Sequence, residues 1–237
     1  MTDRIVYIEN LGFSWPGQAR SLEIGTFEIA AHERVFLQGP SGSGKSTLLG
    51  LIAGVLAPQQ GRLDVLGQSL PGLSTAQRDR MRAESLGVIF QMFNLVPYLS
   101  VLQNVSLPCR FSPARRAAVD KAGGVEAEAR RLLSALGLSS SDILNRKVIA
   151  LSVGQQQRVA AARALIGNPA LIIADEPTSA LDADSRDRFI DLLSAQVTKS
   201  GASLLFVSHD SDLSRSFDRC VSLPQLNQAL NKAVRMS

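Results

Sequence analysis

Cysteine is almost missing from this chain of 237 residues: Cys109 and Cys220 stand far apart, with no C-x-x-C spacing. That argues against a disulfide framework and against a cysteine zinc site. Histidine occurs twice and aromatic residues make up 5%. No block of Lys and Arg stands out, and no basic stripe is interleaved with aromatics, so composition lends nothing to nucleic-acid binding. The longest apolar run, Leu48 to Ala57, covers about ten residues, too few to span a bilayer. The opening Met1-Thr-Asp-Arg-Ile lacks the apolar core of a signal peptide, and the expected compartment is the cytosol. Internal repeats and low-complexity stretches are absent.

What is present reads as globular: 45% hydrophobic, 19% charged, and a modest net charge of +4. The length suits one large domain with ample core. Its most telling stretch is Gly39-Pro40-Ser41-Gly42-Ser43-Gly44-Lys45-Ser46-Thr47-Leu48, which contains G-x-x-x-x-G-K-[ST]. The apolar run Val35–Leu37 precedes it and a helix-like run, Leu48–Leu56, follows. Strand, glycine loop and helix in that order form a phosphate cradle, because glycines let successive N–H groups converge on oxygens and the helix adds its positive end. Lys45 then reaches the β- and γ-phosphates, and the Ser46 hydroxyl ligates Mg²⁺.

Segments Arg4–Glu9, Leu22–Ile29, Val35–Gln38 and Arg62–Leu66, rich in β-formers and separated by turns, predict a small, largely antiparallel sheet around this loop. Leu86–Phe90, Leu171–Ala174 and Ser203–Val207 are apolar without alternation, the mark of buried central strands. Residues 112–137 carry helical spacing that ends at Gly137, and 152–166 read as a helix capped by Ser152. The fold class is therefore α/β. The core and β subdomain cover about 1–91 and 161–222, a helical insertion covers about 92–160, and a last helix covers about 223–235.

Leu171–Ala174 ends in the adjacent acids Asp175 and Glu176. On a strand tip they face opposite ways, so that Asp175 can sit in a Mg²⁺ shell while Glu176 meets an attacking water. Taken alone, the two acids before Pro177 could equally open a turn.

From these residues onward the chain resembles the ATP-binding-cassette (ABC) ATPases over its whole length. Leu151-Ser152-Val153-Gly154-Gln155 is similar to the family signature, Gln91 to its glutamine loop, Ser179-Ala180-Leu181-Asp182 to the loop that crosses to a partner, and His209 to its switch histidine. The resemblance implies a P-loop core of ABC type with an antiparallel β subdomain and an inserted helical subdomain. It implies an ATPase in which Glu176 activates water and Lys45, Gln91 and His209 act around the γ-phosphate. Ser46, Gln91 and Asp175 would hold Mg²⁺. It further implies a head-to-tail pair of subunits, most simply a homodimer, with Ser152, Val153, Gly154, Gln155 and Asp182 reaching ATP held by the twin. Trp15 falls where the family stacks an aromatic ring on adenine, with Phe13 as rival ring; His32 reads as plain surface. Val153 stands where the signature has its first glycine. Valine disfavours positive φ and adds bulk, so the change is either tolerated at a helix start or slows turnover.

The segment Arg82–Val105 is similar to the branch of lipoprotein-releasing and macrolide-exporting ATPases. That implies a peripheral position at the cytoplasmic face of the inner membrane, with an integral membrane permease docking near Met92–Val105. Small-molecule importers remain the alternative. Soluble ABC proteins of DNA repair or the ribosome, and P-loop phosphotransferases, fit the chain less well.

Overall fold

A computed structural model describes residues 3–17 and 19–229. In chain order its elements are β1 (Arg4–Ser14), β2 (Arg20–Ala30), β3 (Arg34–Gln38), α1 (Lys45–Ile52), β4 (Gln60–Val65), β5 (Gln68–Ser69), α2 (Thr75–Ser85) and β6 (Leu86–Ile89). Then come α3 (Val101–Ser106), α4 (Pro108–Phe111), α5 (Pro113–Asp120), α6 (Val125–Ala135), α7 (Ser141–Leu144) and α8 (Val153–Leu165). The chain closes with β7 (Leu171–Asp175), α9 (Ala183–Ser200), β8 (Ser203–Ser208), β9 (Arg219–Ser222) and α10 (Leu223–Leu226). Two compact units divide these, residues 1–82 with 205–237 and residues 83–204.

In the first unit β2-β1-β4-β5 form an antiparallel sheet. Its alternation is plain in β2, where Leu22, Ile24, Phe27 and Ile29 are buried and Arg20 and Glu28 are not. Burying such side chains contributes about 1.5–3 kcal/mol each. The expected antiparallel role of Val35–Gln38 is corrected here: β3 pairs in parallel with β9, Val35 opposite Arg219 and Leu37 opposite Val221. Val35, Phe36 and Leu37 are all fully buried, so both faces of this strand are covered, which suits a parallel sheet and not a half-wet one. Phe36, Phe206 and Phe217 pack ring to ring at 5.0–6.1 Å between centroids.

In the second unit β6 and β7 run parallel, Leu86 opposite Leu171 and Ile89 opposite Ala174. The helical stretch expected at 112–137 is two helices, because Gly123 and Gly124 take φ of 100° and 98° between α5 and α6. Arg115 ties this region together. It is 2% exposed and donates to the carbonyls of Leu86, Ala164 (3.4 Å) and Ile166 (2.9 Å), holding α5 against the start of β6 and the end of α8. Burial lowers its pKa to about 10. Gly87 lets α8 approach β6, since a Cβ there would lie 2.3 Å from the Ala164 carbonyl oxygen.

The helix expected over 223–235 begins as α10, but Asn227 turns extended, with φ −86° and ψ 98°. Residues 230–235 of that expectation lie outside the described residues.

Candidate functional site

In the first unit, β3 leads through the glycine loop into α1. Gly42 and Gly44 take φ of 80° and 100°, left-handed values that side-chain-bearing residues adopt only with strain. Gly44 is the N-cap of α1, and no acid stands in the first turn, so no side chain of that turn offsets the positive helix end. At Gly39 a Cβ would meet the Ser43 hydroxyl at 2.7 Å. Lys45, 8% exposed, folds over the loop and donates to the carbonyls of Gly39 (2.7 Å) and Pro40 (3.1 Å). The Ser43 hydroxyl is buried with no partner. Pro40, Ser41, Gly42 and Ser46 are exposed, while Thr47 is half-buried. A shell of backbone donors, one ammonium and an unsatisfied hydroxyl fits a polyphosphate.

Two further expected residues belong to this unit. Trp15 is 40% exposed, its ring edge-on to Phe13 at 5.2 Å, whereas Phe13 is buried in the core. His209 is exposed directly after β8, where Asp210 caps the next turn by accepting from the Asp212 N–H. His32 lies exposed in the turn between β2 and β3, with φ 64°.

In the second unit β7 delivers Asp175 and Glu176, both half-buried, at its C-terminal end. Glu176 has φ 42°, a conformation costing about 1–3 kcal/mol for a residue with a side chain. Gln91 is exposed just after β6. Behind it Phe93 and Asn94 take positive φ, and Arg163 of α8 donates to both carbonyls, at 2.5 and 2.7 Å. Burial lowers the pKa of that guanidinium.

Ser152 caps α8 as expected. Its hydroxyl accepts from Gln155 N–H (3.4 Å), and the Gln155 side chain accepts from Ser152 N–H (3.0 Å). Val153 occupies the first helical position with its side chain 46% exposed, and its φ is not positive. Val153 therefore meets no backbone conflict: a helix start suits valine, and only its bulk remains. Gly154 has room as well, since a Cβ would meet only Leu181, at 3.6 Å. Asp182 caps α9 by accepting from Ser185 N–H (2.9 Å), a bond that lowers its pKa. Ser152–Gln155 and Ala180–Asp182 line one cleft of about 370 Å³. Two helix N-termini thus open on one concavity: the start of α8 carries no acid in its first turn and suits an anion, whereas Asp182 and Asp184 already stand at the start of α9.

Sequence reasoning passed over several residues that shape these places. Gln157 lines the same cleft, fully buried, with both amide atoms unpartnered. Arg163, Arg115 and Asn227 were unmarked too. An arginine or asparagine inside an apolar helical pattern is the available signal, and its partners are backbone carbonyls distant in sequence.

The ABC transporter family model matches residues 22–179, two thirds of the chain. The protein is an ABC transporter ATP-binding subunit. Among relatives, an uncharacterized ABC transporter ATP-binding protein of Mycobacterium tuberculosis (strain H37Rv) is 38% identical, over 92% of this chain and 86% of the relative. The lipoprotein-releasing system ATP-binding protein LolD of Hydrogenovibrio crunogenus is 40% identical, covering 84% and 83%. A solved dimeric structure of a post-hydrolysis state of the ATP-binding cassette MJ0796 bound to ADP and Pi is 31% identical, covering 94% of this chain and 95% of that one, with a TM-score of 0.79. The fold of this cassette is the ABC-type P-loop fold, and the cassette is an ATPase. No helix among its described residues is long and apolar enough to cross a membrane.

Proposed function

We propose that two copies of this cassette close head to tail around ATP and drive a membrane permease of the lipoprotein-releasing or macrolide-exporting type. The observation that carries this reading is the cleft where the capped starts of α8 and α9 meet the surface. Helix N-termini that open on a surface cleft suit a phosphate brought by a second subunit. The lipoprotein-releasing relative supports the branch.

In this reading the glycine loop binds the β- and γ-phosphates, with Lys45 swinging from the Gly39 and Pro40 carbonyls onto them. Trp15, exposed where Phe13 is not, stacks on adenine. Glu176 orients a water and takes its proton as the water oxygen bonds to the γ-phosphorus and the bond to the bridging oxygen breaks. His209 donates to the γ-phosphate and senses its departure. Ser152, Val153 and Gly154 offer backbone and hydroxyl donors to the same phosphate on the twin, with Gln155 and Asp182 alongside. Ser46, Gln91 and Asp175 supply hydroxyl, amide and carboxylate oxygens, the hard donors that Mg²⁺ prefers. An ion held there would supply positive charge to offset the charge that builds on the phosphate oxygens.

The permease docks where apolar side chains face out. Met92 is 81% and Tyr98 72% exposed, and Ile149 joins them at 72%. Val101 and Val105 of the expected docking stretch point into the core instead. Asn104, fully buried, shapes the loop that displays Tyr98 by bonding Val96 through both its N–H and its carbonyl. Such docking places the cassette on the cytoplasmic membrane face.

Glu176→Gln tests the mechanism. Loss of a general base costs about 10²–10⁴ in rate, so this variant binds ATP, dimerises and hydrolyses at least about a hundredfold more slowly. Hydrolysis near the wild-type rate excludes Glu176 as the base.

A further inference from the structure

The chain's C-terminal segment is built against the glycine loop, and one buried side chain makes the joint. Asn227 has no exposed surface, and its amide uses all four hydrogen-bonding sites. Its oxygen accepts from the N–H groups of Glu23 (2.9 Å) and Ala229 (3.2 Å). Its nitrogen donates to the carbonyls of Ser21 (3.1 Å) and Ser43 (3.3 Å). Ser21 and Glu23 belong to β2, whereas Ser43 belongs to the loop itself. Beside it, Leu223 and Pro224 back Gly39 so closely that a Cβ there would lie 3.3 Å from Pro224 and 3.4 Å from Leu223. At Gly44 a Cβ would lie 3.6 Å from the Asn227 amide nitrogen.

The orientation has a chemical consequence. In a trans peptide the C=O and N–H point to opposite sides. Holding the Ser43 carbonyl against Asn227 therefore turns the Gly44 N–H to the far face of the loop, and Gly44 is the N-cap of α1. A loop that must present several N–H groups at once binds phosphate best when these directions are set beforehand.

We propose that Asn227 is a positioning residue for nucleotide binding, fixing the Ser43–Gly44 peptide from behind so that its N–H stays aimed at the polyphosphate. The proposal rests on the reading of residues 39–47 as the phosphate site. It makes the segment around Asn227 part of the nucleotide machinery.

Full-length N227D and N227A are to be compared with wild type, K45A and I8V by calorimetric titration with MgADP, by steady-state KM and kcat for MgATP, and by melting without nucleotide. N227D keeps the acceptor facing Glu23 and Ala229 and replaces the donor facing Ser43 with an oxygen. Removing one well-placed hydrogen bond to a binding loop is expected to raise Kd and KM about tenfold in N227D and about threefold in N227A. Saturated kcat stays within about twofold of wild type, because the reacting groups are untouched. I8V removes one methylene from the same sheet, so it lowers the melting temperature and leaves affinity alone. Wild-type affinity in N227D overturns the proposal if K45A has lost binding. Should K45A also bind MgADP normally, the phosphate-loop reading itself falls. Should neither Asn227 variant fold, hydrogen exchange in the wild type decides: MgADP slows exchange over 223–229 together with 39–47, and protection confined to 39–47 refutes the coupling.

Discussion

Gly87→Ala isolates the contact that sets the signature helix against its strand. A Cβ at residue 87 would lie 2.3 Å from the Ala164 carbonyl oxygen, 2.9 Å from its carbon and 2.6 Å from Ile172 Cδ1. Ordinary contacts need about 3.4 Å, so the shortfall against the carbonyl is about 1 Å. Ile172 can change rotamer, but the Ala164 carbonyl belongs to the last turn of α8 and already accepts from Arg115. The helix must therefore move as a body or the strand must bend. Overpacking of this kind costs about 1–3 kcal/mol, and a backbone obstacle puts this site at the upper end. Two terms oppose the strain: alanine narrows the unfolded ensemble by about 0.4–1 kcal/mol, and the new methyl is buried for about 0.8 kcal/mol. The net loss is about 1–2 kcal/mol, or about 2–8 °C in melting temperature for a chain of this size. Circular dichroism melts without nucleotide, supported by urea unfolding, read this directly. A variant that melts at or above the wild-type temperature refutes the argument that glycine is needed there for close packing.

Val153→Gly removes bulk from the rim of the cleft without relieving any backbone strain, and turnover is expected to rise; an equal or lower kcat sinks the idea that Val153 restrains catalysis. For pH, the Arg34 guanidinium bonded to Asp218 at 2.7 Å holds that carboxyl below its usual range. A depressed carboxylate pKa means that its stabilisation is present above the unfolded value, about 3.9, and is lost as pH falls through the folded value. With Asp218 43% exposed, solvent screening limits this to under about 1 kcal/mol. Asp218→Asn should flatten the acid limb of stability below about pH 4; identical slopes for variant and wild type would show that the pair contributes nothing there.

Local chemistry made much of this protein readable from residues alone. Ser152 followed by Gln155 specifies a capped helix start, and the structure places the cap there. Gly42 and Gly44 announce left-handed backbone, which they adopt. The apolar runs at 171–174 and 203–207 are buried strands because no polar face interrupts them, and so is 86–90 as far as Ile89, Phe90 lying exposed past the strand end. These features rest on interactions within a few residues, where spacing and chemistry coincide.

Long-range pairing lay beyond that reach. Val35–Gln38 has the composition of either sheet, and only its pairing with β9, 184 residues later in sequence, makes it a parallel strand. Whether Val153 meets a backbone conflict depends on the φ that the start of α8 imposes. The clasp of Asn227 on Ser43 and of Arg115 on Leu86 and Ile166 uses backbone carbonyls, which every residue carries alike. Since a carbonyl leaves no letter in the sequence, the order of residues names the donors, and folding alone selects what they hold.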